Sequence, residues 1–157
     1  MIIGEGWSSF QESLHQQIEN LGLEQHVELV GYIKNPIHYI QAADAVLICS
    51  HWEGFGRVTI EAMLSGRPVI GASNGATGEL IQDGVTGLLY NPGNHDELAD
   101  KIQYLHENPE KRLKLGAAAR IWAADRFTQE RYAKEVFNLL KKVLKEENSR
   151  HSTVCNQ

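Results

Sequence analysis

The sequence predicts an α/β fold built on a parallel sheet with helices on both faces. Short apolar runs of strand length alternate with longer segments whose apolar residues recur at helical spacing. Glycine and proline fall at the junctions, where the chain must change direction. One Gly-Phe-Gly turn, Gly54 to Gly56, joins a strand to a helix, and that is where an open parallel sheet binds its ligand.

Residues 1–3 read as a short buried strand. Phe10, Leu14, Ile18 and Leu21 recur at helical spacing, and Gly22 stops that helix. Residues 27–30 make a second strand, ended by Gly31. Pro36 suits the first turn of a helix that reaches about residue 43. Residues 45–48 are a third strand. A helix over 56–65 follows, with Ile60, Met63 and Leu64 on its inner face. Gly66-Arg67-Pro68 turns the chain into a fourth strand, 69–71, and a short helix covers 77–81. Asp83-Gly84 and Thr86-Gly87 are turn signals before a fifth strand, 88–90. From Asn94 the pattern is helical, with Leu98, Ile102 and Leu105 in one stripe. Pro109 opens the next helix, with Leu113 and Leu115 as its inner residues. Thr128 with Arg131 begins a last helix, whose apolar face is Tyr132, Val136, Leu139, Leu140 and Val143. Its other face carries Lys134, Glu135, Lys141, Lys142 and Lys145. That helix either packs on its own domain or lies on a membrane or a partner. One domain is expected over residues 1–147, with 148–157 as a disordered polar tail.

At 157 residues, with 42% hydrophobic and 22% charged content, the chain can bury a sizeable core as one globular domain. A net charge of −5 argues against nucleic acid as a partner. No apolar stretch is long enough to span a bilayer, and Met1-Ile2-Ile3 runs straight into Gly4-Glu5-Gly6 without a secretory pattern. Cys49 and Cys155 are far apart and read as free thiols of a reducing cytoplasm, Cys49 as a small buried hydrophobe at a strand end.

The segment Ser50 to Met63 carries the chemistry. Glu53 and Glu61 bracket the Gly54-Phe55-Gly56 turn, one carboxylate on each side of an expected anion site. The backbone N–H groups of Gly56, Arg57 and Val58 would point at a phosphate there, and the two glycines leave no side chain to block it. Trp52 and His51 could touch a ligand or simply pack at the rim. Gly75 and Gly78 flank Thr77 in a second glycine-rich turn. No carboxylate cluster or histidine pair has the spacing of metal ligands.

Glu53-Gly54-Phe55-Gly56 with Glu61 resembles the E-x7-E motif of retaining glycosyltransferases of the GT-B fold, family 4 in particular. Five other stretches resemble the same family in order. They are Ile3-Gly4-Glu5-Gly6, Val30-Gly31-Tyr32, Ala42-Ala43-Asp44-Ala45, the run from Glu61-Ala62-Met63 to Gly66-Arg67-Pro68-Val69-Ile70, and the run from Glu79-Leu80-Ile81 to Asp83 through Leu89. The resemblance reaches about Lys145.

What the resemblance implies is the carboxyl-terminal, Rossmann-like half of a GT-B enzyme, which holds a UDP- or GDP-linked sugar. The diphosphate would lie on the Arg57 and Val58 N–H groups. Glu53 and the Phe55 and Gly56 N–H groups would hold the sugar, and Glu61 the two ribose hydroxyls. The base would sit near Ile33 and Asn35. No metal and no cofactor is implied. The family places a strand and helix before the residues 1–3 strand, and an amino-terminal half before that. In the implied strand order 3-2-1-4-5-6 the strand absent from this sequence is the central one. The expectation is therefore a sheet of about five strands, and a chain inactive without its amino-terminal half. Arg57 either stands in for cations of the absent segment or, the preferred reading, pairs with Glu61 one turn on. A catalytically silent nucleotide-sugar-binding module is the alternative function, and an epimerase of related fold suits the motif spacing poorly. The expected location is cytoplasmic, with the whole enzyme peripheral to the inner face of the cell membrane.

Overall fold

The computed structural model describes residues 1–154, with side chains through Lys145. The chain divides into two compact units, Met1–Ala42 and the part that begins at Ala43.

The first unit holds β1 (Ile2–Ile3), α1 (Ser8–Asn20), β2 (Leu29–Gly31) and α2 (Ile37–Ala42), with β1 and β2 parallel. Helix α1 ends as the glycine signal predicts. Gly22 takes φ +64°, and the Gly22 and Leu23 N–H groups donate to the Glu19 and Ile18 carbonyls. Those two bonds satisfy carbonyls that a helix end otherwise leaves open.

The second unit holds β3 (Val46–Ile48), α3 (Arg57–Leu64), β4 (Val69–Ala72), α4 (Gly75–Leu80), β5 (Gly87–Tyr90), α5 (His95–Glu107), α6 (Pro109–Arg126) and α7 (Gln129–Val154). Its three strands are parallel in the order β3-β4-β5, joined through α3 and α4. Strand β4 has a neighbour on each edge and is buried at every residue, as a continuous Val-Ile-Gly-Ala run predicts for a strand covered on both faces. Ile70, Ala72, Leu88 and Tyr90 pack with Leu105 of α5 and Leu115 of α6. Thr59, Ile60, Ala62 and Met63 are the buried residues of α3. Helix α6 comes close because it is small where it touches. A Cβ on Gly116 would overlap the Gly66 carbonyl, and Ala119 and Ala123 are fully buried. Asp44 accepts an ion pair from Arg112 at 3.0 Å, tying the entry to β3 to α6.

Several expectations are corrected. The five strands form two sheets, of two and three strands, rather than one. Leu113 is exposed, and Leu115, Gly116, Ala119 and Ala123 are the inner residues of α6, because close helix contact selects small side chains. Leu64 is exposed as well. Helix α4 starts at Gly75, two residues before the expected start. Cys49 is exposed rather than buried, one residue past the end of β3. The apolar face of α7 is exposed from Tyr132 to Val143, with Phe137 and Leu144 widening it. Helix α7 continues through Val154, since no glycine or proline follows Gln129 to stop it. The last three residues of the expected tail, with Cys155, lie outside the described residues.

Candidate functional site

The β3–α3 loop and the first turn of α3 carry most of the predicted site, at the carboxyl ends of β3 and β4. Gly56 is the N-cap of α3 and has φ +76°, ψ 40°, a left-handed conformation that favours glycine. Its absent side chain has a second cause. A Cβ there would come within 2.5 Å of Leu80 Cδ1, so the position faces inward rather than toward a ligand. Gly54 is different, since a Cβ there would meet nothing within 4 Å, and it leaves open space on the exposed loop. The first bond of α3 runs from the Ile60 N–H to the Gly56 carbonyl at 3.1 Å. The N–H groups of Arg57, Val58 and Thr59 therefore form the first turn, where a helix has no acceptor of its own. No acidic residue lies within that turn, so its free N–H groups and the positive end of the helix suit an anion.

Glu53 is half-buried, and its Oε1 accepts the Gly56 N–H at 3.3 Å. That bond occupies the N–H which the family resemblance assigns to the sugar. Glu61 is half-buried on α3, and its Oε1 lies 3.6 Å from Arg57 Nε. The expected pairing of Arg57 with Glu61 is thus present, while the Arg57 side chain stays 83% exposed. Phe55, Trp52 and Val58 are exposed around the turn.

Glu53, Gly54, Phe55, Gly56, Arg57, Val58 and Glu61 share one loop-helix junction of the second unit. Ile33 and Asn35 belong to the first unit, in the loop between β2 and α2. There Ile33 is half-buried, and Asn35 Oδ1 accepts the Ile37 N–H at 3.3 Å, which gives Asn35 a part in starting α2.

Sequence reasoning missed Asn74. It lies between β4 and α4, and its Nδ2 donates to the His51 carbonyl at 2.6 Å. The Ala76 N–H donates to the Glu53 carbonyl at 2.9 Å. The Asn74-Gly75 pair was the available signal, but it reads locally as a turn and says nothing of a partner 23 residues away. Near the end of β5, burial and then a hydrogen bond with Cys49 push the Tyr90 hydroxyl up to about 12. Among the described residues no group of three His, Cys, Asp or Glu is placed to hold a metal ion, and no helix is long and apolar enough to cross a membrane.

The site is thus a glycine turn that joins a parallel strand to a helix, with Glu53 before it and Glu61 after it. The family model for glycosyl transferases group 1 matches residues 1–122. The chain belongs to that family. It is 36% identical over 117 residues to a trehalose synthase of Pyrococcus horikoshii, covering 74% of this chain and 28% of that protein. It is 31% identical over 149 residues to an N-acetyl-α-D-glucosaminyl L-malate synthase of Bacillus anthracis, covering 95% of this chain and 39% of that protein. The crystal structure of HepE from Anabaena in complex with UDP superposes with a TM-score of 0.84 at 35% identity, over 89% of this chain and 40% of that chain. The same protein has been crystallised with UDP-glucose. A carboxyl-terminal domain of a group 1 glycosyl transferase from Francisella tularensis superposes with a TM-score of 0.71 at 29% identity, over 78% of this chain and 64% of that chain. The fold is that of the carboxyl-terminal-type domain of GT-B glycosyltransferases. The chain spans well under half the length of these two curated relatives.

Proposed function

We propose that this chain is the donor-binding half of a metal-independent hexosyltransferase that transfers a sugar from a nucleotide-diphosphate sugar with retention of configuration. The observation that carries this reading is the first turn of α3, open to an anion and set between Glu53 and Glu61. The UDP-glucose complex of a protein 35% identical to this chain supports a UDP-sugar as donor.

In this reading the Arg57 and Val58 N–H groups take the diphosphate and stabilise charge on the leaving group. Glu61 accepts the ribose hydroxyls. Glu53 orients the donor sugar, with the N–H groups of Phe55 and, once Glu53 releases it, Gly56. An amino-terminal half brings the acceptor, so the chain alone binds donor without transferring it. A silent binding module is the second reading. It is favoured by the Arg57–Glu61 pair, which engages the cation on the first turn of α3.

Calorimetric titration with UDP tests the nucleotide site. Glu61→Ala should weaken UDP by about one to two decades, since hydrogen bonds to a charged group contribute about 1.5–3 kcal/mol. Equal affinity of variant and parent would remove Glu61 from the site. Adding an amino-terminal half from a relative, with a panel of nucleotide sugars, separates enzyme from silent module by whether transfer appears.

We also infer a cytoplasmic location, with peripheral attachment through α7. Its exposed apolar face is flanked by Lys134, Lys141, Lys142 and Lys145, a pattern suited to an anionic lipid surface. Co-sedimentation with phosphatidylglycerol vesicles that weakens with salt is the expected result, and no co-sedimentation would refute it.

A further inference from the structure

Helix α4 begins in an unusual way. Asn74 is its N-cap, with φ −138° and ψ 164°, and an asparagine there normally accepts a hydrogen bond from the first turn of its own helix. Asn74 makes no such bond. Its amide donates instead to the His51 carbonyl, at 2.6 Å. The Ala76 N–H, a donor that the helix start leaves open, reaches the Glu53 carbonyl at 2.9 Å. Two carbonyls of the acidic loop thus occupy two donors at the start of α4.

Gly75 sits between these two bonds at φ +50°. A Cβ there would come 2.7 Å from the Glu53 carbonyl oxygen and 3.2 Å from the Glu53 nitrogen. Only a hydrogen fits, so the Glu53 main chain lies directly on Gly75. Asn74 Oδ1 is buried and has no partner among the described residues, so the amide is held through its Nδ2 bond. On the far side of the same residue, the Glu53 carboxylate meets the Gly56 N–H. The main chain of Glu53 is fixed from α4, and its side chain is directed at α3.

We propose that Asn74 and Gly75 are positioning residues, which hold the 51–53 main chain so that the Glu53 carboxylate faces the donor sugar. The proposal rests on the sugar-orienting role given to Glu53 above. It separates two functions of one turn. The first-turn N–H groups of α3 are fixed by the helix itself, through the Ile60 N–H bond to the Gly56 carbonyl. They keep their aim when Asn74 is lost. The Glu53 carboxylate does not, and a displacement of about 1 Å is enough to cost an oriented contact much of its effect. Loss of Asn74 should therefore change how the protein tells a nucleotide sugar from the bare nucleotide, and leave the nucleotide itself alone.

The experiment is calorimetric titration of the 157-residue chain with UDP and with UDP-glucose, for the parent, Asn74→Ala, Glu53→Gln and the double variant. The affinity ratio of the two probes is the reading. Asn74→Ala should move the ratio against UDP-glucose by roughly three- to tenfold, the effect of one hydrogen bond, with UDP affinity held within about twofold. In the Glu53→Gln background Asn74→Ala should add nothing, because its effect passes through that carboxylate. Equal weakening of both probes, or the same shift with and without Glu53, overturns the positioning role. If Glu53→Gln moves the ratio and Asn74→Ala does not, the positioning role fails alone. If Glu53→Gln leaves the ratio unchanged, or the parent binds neither probe, the functional reading falls and takes the proposal with it. Asn74→Ser, which keeps a shorter donor and a good N-cap, replaces Asn74→Ala under the same criteria if circular dichroism shows the alanine variant unfolded.

Discussion

Single residues at the carboxyl ends of the strands answer to two kinds of constraint, open space on one side and close packing on the other. Gly54 is open to solvent, whereas Gly56 is required by a left-handed backbone and by Leu80 behind it. The two look alike in sequence because glycine has no side chain to reveal which constraint selects it. Tyr90 offers a test at the same scale. Burial, and then its bond with Cys49, raise its hydroxyl from 10.0 to about 12. The unfolded chain therefore loses this proton first as pH rises. The contribution is fully present below about pH 10 and is lost through the window up to about pH 12, about 1–3 kcal/mol in all. Tyr90→Phe should flatten that part of the decline in urea midpoints measured across the window. An unchanged slope would assign the decline to other groups.

At the scale of elements, close packing decides more than apolar content. Helix α6 was expected to turn Leu113 inward, yet its inner row is Leu115, Gly116, Ala119 and Ala123. The contact of Gly116 with the Gly66 carbonyl leaves no room for a methyl group. Gly116→Ala should destabilise the fold by about 1–3 kcal/mol, because overpacking outweighs the gain in helix propensity of at most about 1 kcal/mol. Chemical denaturation checks this, and a stabilised variant would show that α6 can move away without cost. Helix α4 gives a similar lesson. Its start at Gly75 depends on carbonyls from another loop, so no local pattern could reveal it.

For the whole molecule, the exposed face of α7 has consequences. Tyr132, Phe137, Leu139, Leu140 and Leu144 are all more than half exposed, an apolar stripe of the kind that marks an interaction surface. Among the described residues β3 pairs with β4 alone, which leaves its other edge open. The chain by itself in buffer should therefore associate with itself. Sedimentation velocity should show the monomer fraction rising when Phe137 and Leu140 are both changed to serine. A parent that stays monomeric at high concentration would mean that neither surface is adhesive.

By itself the sequence determined the α/β class, the place of each strand and of every helix but the end of the last to within a few residues, and the glycosyltransferase family. It also determined the junction that gathers Glu53 through Glu61: class and junction are written in local periodicity and turn residues, and the family in the resemblance of six stretches that follow one another in order. The Arg57–Glu61 pair was legible for the same reason, being one helical turn long. Tertiary structure alone decided that the strands form two sheets, that Leu113 and Leu64 face solvent, and that Cys49 is exposed beside Tyr90. It alone decided that Asn74 holds the acidic loop from 23 residues away. Each of these depends on which distant backbone or side chain comes to rest against the residue. Such contacts are set by packing across the sheet, which no periodicity along the chain encodes.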